Sequence, residues 1–279
     1  MPQAVAAGAV ERMAEALDVH GPDGFAGRLR SRETVLGTVL TLPSVALAEL
    51  TADRLDFVWI DLEHGALGTA DVQPLAVAAR AAGCAALVRL PGPDAARLPA
   101  ILDAGVQGVV APAVESAEQA RRLVDRLRHP PRGSRGFAAR RASAYGRDPS
   151  TPRDPVCVAQ IESAGGLEDA ERIAEVDGVD ALVVGCADLA LALGGTLELR
   201  SARMRAAIER VQLAARRAGI PSGIAGPGNA RLLAELAAGQ STVFVLSADV
   251  RLYARGVDEG LARLRAELAP VGEGARVGA

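Results

Sequence analysis

From residue 35 onward, short β-branched runs alternate with longer Ala-, Leu- and Arg-rich stretches of helical period, and the alternation repeats eight times. Continuous apolar runs bounded by turn residues are the pattern of strands buried on both faces. The candidate strands are Val35–Leu40, Asp56–Asp61, Ala85–Leu90, Val106–Ala111, Val156–Ile161, Ala181–Val184, Ile220–Ile224 and Thr242–Leu246. Helical candidates between them include Ala70–Ala82, Asp94–Asp103, Ala117–Arg128, Gly166–Ala174, Ser201–Ala218 and Ala230–Ala238. Gly83, Gly105, Gly178, Gly219 and Gly239 each fall between a helix and the next strand, where a helix-ending residue takes a left-handed conformation. This order predicts an α/β fold, a single (β/α)8 TIM barrel. A doubly wound open sheet is the alternative, but no G-x-G-x-x-G follows the first run. The expected boundaries are an N-terminal helical extension over 1–33, the barrel over 34–269 and a flexible tail over 270–279.

Composition narrows the function classes. Hydrophobic residues make up 49% and charged residues 23%, which is a globular core and not a disordered chain. A net charge of −3 predicts no nucleic-acid partner. No apolar run reaches the roughly 18 residues of a membrane span, and the start of the chain does not read as a signal peptide. Three dispersed cysteines, Cys84, Cys157 and Cys186, predict reduced thiols and a cytoplasmic setting. All 31 basic residues are arginine. Without lysine there is no Schiff base to a carbonyl substrate, no ordinary pyridoxal phosphate linkage and no Walker lysine.

A barrel delivers its strand ends to one catalytic mouth, so polar residues at those ends are informative. The second run ends Asp61-Leu62-Glu63-His64, the third at Arg89, the fifth at Gln160-Ile161-Glu162, and the sixth leads to Asp188. Burying such groups costs several kcal/mol apiece unless they are paired or sit at a wet mouth. His20, His64 and His129 show no zinc-ligand spacing. Two carboxylates, Glu162 and Asp188, suit a hard divalent ion completed by water and substrate oxygens. Arg89 suits a carboxylate or a developing enolate oxygen, and His64 suits proton transfer near neutral pH. Each has a plainer alternative: Asp61 and Glu63 as helix caps, Glu162 as an arginine partner, Asp188 as an N-cap. Co-location favours enolate chemistry on a 2-oxo acid. The irregular, arginine-rich segment from Arg128 to Pro155 follows the fourth strand and is expected to form a lid at the mouth or a subunit contact.

These residues resemble the HpcH/HpaI aldolase family, metal-dependent class II 2-oxo acid aldolases similar to 4-hydroxy-2-oxoheptanedioate aldolase. The matching stretches are Asp56–His64, Val88–Pro91, Ile101–Gly108 with Pro112, Arg135-Gly136, Arg141-Ala142, Tyr145-Gly146, Gln160–Glu162, Val176–Asp180 and Gly185–Leu189. The resemblance implies Glu162 and Asp188 as ligands of Mg²⁺, Mn²⁺ or Co²⁺. It implies Arg89 and Gln160 as contacts of the pyruvate moiety, and backbone amides of the Gly185-Cys186-Ala187 loop as contacts of the substrate carboxylate. His64 matches the base, Asp103 its acidic partner and Asp61 a supporting acid. Members usually read Gly-Pro-x-Asp-Leu-Ser where this chain has Gly185-Cys186-Ala187-Asp188-Leu189-Ala190. The resemblance also implies a last helix swapped between subunits, in a homo-oligomer, commonly a dimer-based hexamer.

The expected activity is therefore that of a carbon–carbon lyase joining or splitting a pyruvate-like enolate and an aldehyde. The alternative is a citrate-synthase-like or acyl-CoA lyase-type enzyme on the same barrel, motivated by the arginine-rich 132–147 segment and the unusual Cys186 loop. A non-catalytic barrel is the remaining reading, which the polar strand ends oppose. Replacing Arg89 with alanine is expected to lower kcat far more than it disturbs folding.

Overall fold

The computed structural model describes residues 24–147, 154–226 and 228–268. Most of the expected extension, residues 1–23, and the expected tail, 270–279, lie outside these residues.

The described chain runs α1 (Gly24–Arg30), β1 (Val35–Leu40), α2 (Val45–Ala52), β2 (Phe57–Asp61), α3 (Thr69–Ala81), β3 (Ala85–Arg89), α4 (Leu98–Asp103), β4 (Gly108–Ala111) and α5 (Ala117–Leu127). It continues β5 (Val156–Ile161), α6 (Ala164–Glu168), α7 (Ala170–Ala174), β6 (Ala181–Gly185), α8 (Cys186–Gly194), α9 (Ala202–Ala218), β7 (Ser222–Ala225), α10 (Ala230–Ala237), β8 (Val243–Ala248) and α11 (Asp249–Leu268). The strands are all parallel and close as β1-β2-β3-β4-β5-β6-β7-β8, with β8 paired back to β1. This is the (β/α)8 barrel expected from the eight runs. The five glycines singled out between helix and strand all have positive φ. β7 starts at Ser222, two residues later than its apolar run, because Ile220 N–H still bonds back to Ala215 O and Pro221 has no N–H to give.

Two cores follow from the strand period. Outward residues such as Val58, Ile60, Val88, Val109 and Val184 pack beneath the helices, while Val35, Phe57, Trp59, Leu87, Val110, Val158, Val183 and Val245 fill the barrel interior. α1 plugs the base: Phe25 and Leu29 join the interior cluster, with the Phe25 and Phe57 rings 5.4 Å apart. Gly37 is required beside Phe57, because a Cβ there would lie 2.4 Å from the ring.

The described parts of the Arg128–Pro155 segment, residues 128–147 and 154–155, do not form a lid over the mouth. They follow α5, not β4, and lie at the base from which β5 rises, where Arg135 meets Asp103. Arg132 reaches Asp154 at 2.5 Å, just before β5, and Arg128 reaches Asp177 at 2.6 Å, just before β6.

α11 is held at its first residue, where Asp249 accepts from Thr41 Oγ1 at 2.5 Å, Thr41 N at 2.9 Å and Leu42 N at 3.1 Å. From Tyr253 to Leu268 every residue is exposed, including Tyr253, Val257, Leu261, Leu264 and Leu268.

Candidate active site

Strand parity selects which side chains reach the mouth. On β2, Phe57 and Trp59 point inward, so Asp61 does as well; on β3, Ala85 and Leu87 put Arg89 inward; on β5, Val156 and Val158 put Gln160 and then Glu162 inward. Asp61 and Arg89 are register partners on adjacent strands.

Arg89 Nε donates to Asp61 Oδ1 at 2.9 Å and Nη2 to Oδ2 at 2.5 Å, a two-point clamp. Asp61 also accepts from the backbone N–H of Glu63 at 3.0 Å and of His64 at 3.3 Å. Burial pushes this carboxyl up, but the Arg89 bonds and charge, with the two backbone donors, hold it below its ordinary value. Arg89 Nη1 lies 3.1 Å from Glu63 Oε2, near enough for an ion pair but off the line of a hydrogen bond. Glu63 Oε2 is also 3.7 Å from His64 Nε2. Burial raises the Glu63 carboxyl, against Arg89 and His64 and with Asp61 and Asp188. The His64 ring is 64% exposed and free to meet a substrate.

Glu162 faces this group from β5. Its Oε1 accepts from Ala113 N at 2.7 Å, and its Oε2 accepts from Gln160 Nε2. Gln160 Oε1 is buried with no hydrogen-bond partner. Burial, together with Glu63 and Asp188, outweighs the two donors and pushes Glu162 up to about 7. A Cβ on Gly185 would lie 2.3 Å from Glu162 Oε2 and 2.7 Å from Gln160 Nε2, so any side chain at the end of β6 would displace the Glu162 carboxylate. Asp188 is exposed in the first turn of α8.

Four carboxylates thus share one guanidinium. Asp61 uses two of its donors, which leaves Glu162, Glu63 and Asp188 with surplus negative charge. Among the described residues no three His, Cys, Asp or Glu side chains form a ready cage. Two carboxylates that need neutralising, beside an orphaned amide oxygen, fit a hard cation that keeps water or substrate oxygens as its other ligands.

The profile of the HpcH/HpaI aldolase/citrate lyase family matches residues 43–235. The chain belongs to that family. It is 34% identical to 4-hydroxy-2-oxovalerate aldolase of Novosphingobium aromaticivorans over 90% of this chain and 97% of the relative. It is 36% identical to hydroxypyruvate/pyruvate aldolase of Paraburkholderia phytofirmans, over 85% and 96%. An HpcH/HpaI family protein from Burkholderia cenocepacia superposes with a TM-score of 0.81 at 32% identity, over 86% of this chain and 98% of that one. The citrate synthase SbnG, at 24% identity and a TM-score of 0.76, shares the fold. The expected carbon–carbon lyase class agrees with the two aldolases.

The barrel of this HpcH/HpaI member brings Asp61, His64, Arg89, Gln160, Glu162, Gly185, Ala187 and Asp188 to one end. It does not bring Asp103 there. Asp103 ends α4 at the base, 3.4 Å from Arg135 Nη2. Cys186 is buried, and burial pushes its thiol up to about 12, the opposite of the lowered value that activates a nucleophilic thiol. Glu63, which the sequence offers as a helix cap, instead lies between Arg89 and His64 in the site. Its signal was present: three ionisable residues in four positions after an apolar strand. Ala113 carried no signal at all.

Proposed function

We propose that this enzyme forms or cleaves a carbon–carbon bond between the enolate of pyruvate, or a close 2-oxo acid, and an aldehyde, with Glu162 and Asp188 holding Mg²⁺, Mn²⁺ or Co²⁺. The carrying observation is the lysine-free mouth in which buried Glu162 lies beside a guanidinium fixed by Asp61, with exposed Asp188 near enough to raise the Glu162 carboxyl. When bound, the divalent ion supplies Lewis-acid polarisation of the 2-oxo group.

The protein's own residues do the rest. A guanidinium has five N–H donors, and Asp61 takes two of them, so both on Nη1, beside Glu63, and one on Nη2 remain for the enolate oxygen or the substrate carboxylate. Asp61 orients Arg89 and does not touch substrate. The first amides of α8 at Cys186 and Ala187 have no partner within the helix and receive the substrate carboxylate next to Gly185. Gln160 holds Glu162 and lends its free Oε1 to the substrate's surroundings. In the cleavage direction His64 takes the proton from the 4-hydroxyl, the C3–C4 bond breaks, the aldehyde leaves, and the electron pair passes to the C2 oxygen. Reprotonation at C3 gives pyruvate.

Asp103 acts as the acidic partner of His64 only where a neighbouring copy carries it to the mouth, and the exposed apolar line of α11 is the surface we assign to that assembly, a homo-oligomer of dimers. The three buried free thiols support a reducing, cytoplasmic setting, and no helix among the described residues is long and apolar enough to cross a membrane. The acyl-CoA alternative drew on the arginine-rich 132–147 segment. That segment lies at the base, so it does not recommend this alternative over the aldolase.

The test is pyruvate in D2O, with loss of the methyl signal followed by proton NMR. Exchange that requires metal and is lost in Glu162→Ala is expected. A folded protein that exchanges nothing with any of the three metals refutes pyruvate enolisation.

A further inference from the structure

Among the described residues, five that are not glycine have positive φ: Arg32, Ala113, Ala144, Tyr145 and Ala238. Four of them lie at the base, where helices end and strands begin. Ala113 alone lies at the mouth, two residues after β4, with φ +48°. Backbone held in a sparsely populated region concentrates at functional sites, where the surroundings over-determine it.

The surroundings here do so. Ala111 is fixed by the β4–β5 ladder, opposite Ala159. Pro112 permits only a narrow range of φ. Val114 is buried, its N–H bonds to Gln160 O at 3.3 Å, and its carbonyl is packed so tightly against Gly166 that a Cβ there would lie 2.4 Å from it. Between these anchors the chain must reverse at Ala113. The reversal turns the Ala113 N–H inward, onto Glu162 Oε1 at 2.7 Å, while the methyl group is exposed.

We propose that Ala113 is a positioning residue for Glu162: its left-handed conformation aims an amide that, with Gln160 Nε2 on the other oxygen, fixes the carboxylate plane in which a divalent cation is held. The Gly185 hydrogen faces the same carboxylate from β6, so Glu162 is set by β4, β5 and β6 together. The inference rests on the reading of Glu162 as a cation ligand.

The side chain at 113 faces open space, so size and conformation can be separated. Valine and asparagine are of similar size, but a β-branched residue is a severe outlier at positive φ whereas asparagine is enriched there. The measurement is Mn²⁺ titration of the full chain without substrate, read by the electron paramagnetic resonance of free Mn²⁺, with Tm recorded beside it. Ala113→Gly and Ala113→Asn should bind within about threefold of the unaltered protein. Ala113→Val should bind about tenfold or more weakly, the usual loss when a group orienting a metal ligand is removed. If the valine variant does not fold, Ala113→Thr, also branched at Cβ, takes its place. Equal affinity of the folded branched variant and the unaltered protein overturns the proposal, even if Tm falls, because the residue would then be only structural. Equal weakening by asparagine and valine overturns it as well, because conformation would not be the cause. Glu162→Gln separates the premise: if it binds Mn²⁺ as well as the unaltered protein, the cation reading fails whatever position 113 does.

Discussion

Removing Arg89 tests the electrostatic core of the mouth. The sequence alone led us to expect lost catalysis with little effect on folding; the structure revises the second half. Asp61 is 1% exposed and the Arg89 side chain 12%. An exposed pair would contribute about 0.2–1 kcal/mol, but breaking a buried pair from one side costs about 3–5 kcal/mol, because the remaining charge is left without compensation. Asp61 keeps the two backbone donors of Glu63 and His64, so the lower end applies: Arg89→Ala should lose about 3 kcal/mol. The pH dependence follows from the Asp61 shift. In the unaltered protein its folded value lies below the ordinary 3.8, so the pair's contribution is complete above that value and is lost as pH falls through the lower folded one. Without Arg89, only the two backbone donors of Glu63 and His64 oppose burial, and the folded value moves upward. The deficit is then largest at high pH and shrinks as acid neutralises Asp61. Guanidinium denaturation with linear extrapolation, near pH 8 and near pH 4.5, reads both. Asp61→Asn combined with Arg89→Ala should recover part of the loss. A loss under about 1 kcal/mol that is the same at both pH values would show a wet, screened pair and refute the reasoning.

Three further outcomes follow from the same geometry. Glu162 rises from 4.5 to about 7 on folding, so the metal-free protein loses stability as pH climbs through that window. Glu162→Gln, denatured in EDTA near pH 8, should gain on the order of 3 kcal/mol, with no gain below the unfolded value; a loss at both ends of the range would contradict it. Gly185→Ala should weaken Mn²⁺ binding about tenfold or more, because the added methyl meets Glu162 Oε2 at 2.3 Å and that carboxylate must move; unchanged affinity in a spectroscopic titration would mean that the mouth relaxes freely. His64→Ala, at an exposed side chain, should leave stability within about 0.5 kcal/mol while aldol cleavage falls about 10²- to 10⁴-fold, and steady-state kinetics with intact cleavage would remove His64 as the base.

The barrel was legible because its determinants are local. Each strand is a short apolar run, five of the helix-to-strand passages carry the singled-out glycines with positive φ, and strand parity places Asp61, Arg89 and Gln160 on the inner face. What failed was a matter of chain direction. Arg128–Pro155 comes after a strand in sequence, but a helix intervenes, and in a barrel that helix returns the chain to the base. The same logic puts Asp103 at the base, where it meets Arg135 and not His64. Glu63 was visible as an ionisable residue, yet its contact with both Arg89 and His64 depends on a turn that Asp61 creates by capping two backbone amides. Ala113 was invisible because its role lies in a dihedral angle that three neighbours impose, and no property of an alanine side chain encodes it.

The distribution of charge explains why this mouth is both a liability and a site. Asp61 takes the strongest share of Arg89 and gains a position without gaining a role at the substrate. That leaves Glu63, half-buried, and Glu162, buried, with insufficient positive charge to offset their desolvation, and both carboxyls rise. A purely structural barrel would replace such groups with apolar ones at little loss or some gain in stability. Here the backbone does the opposite: it commits the Ala113 amide and the absent Cβ of Gly185 to holding Glu162 where its repulsion with Glu63 and Asp188 persists. An arrangement that maintains unneutralised charge by backbone constraint is stable only in so far as something positive arrives to complete it. With no lysine in the chain and Arg89 clamped by Asp61, a proton on Glu162 supplies that charge below about pH 7, and above it the divalent cation of the proposed function is what would.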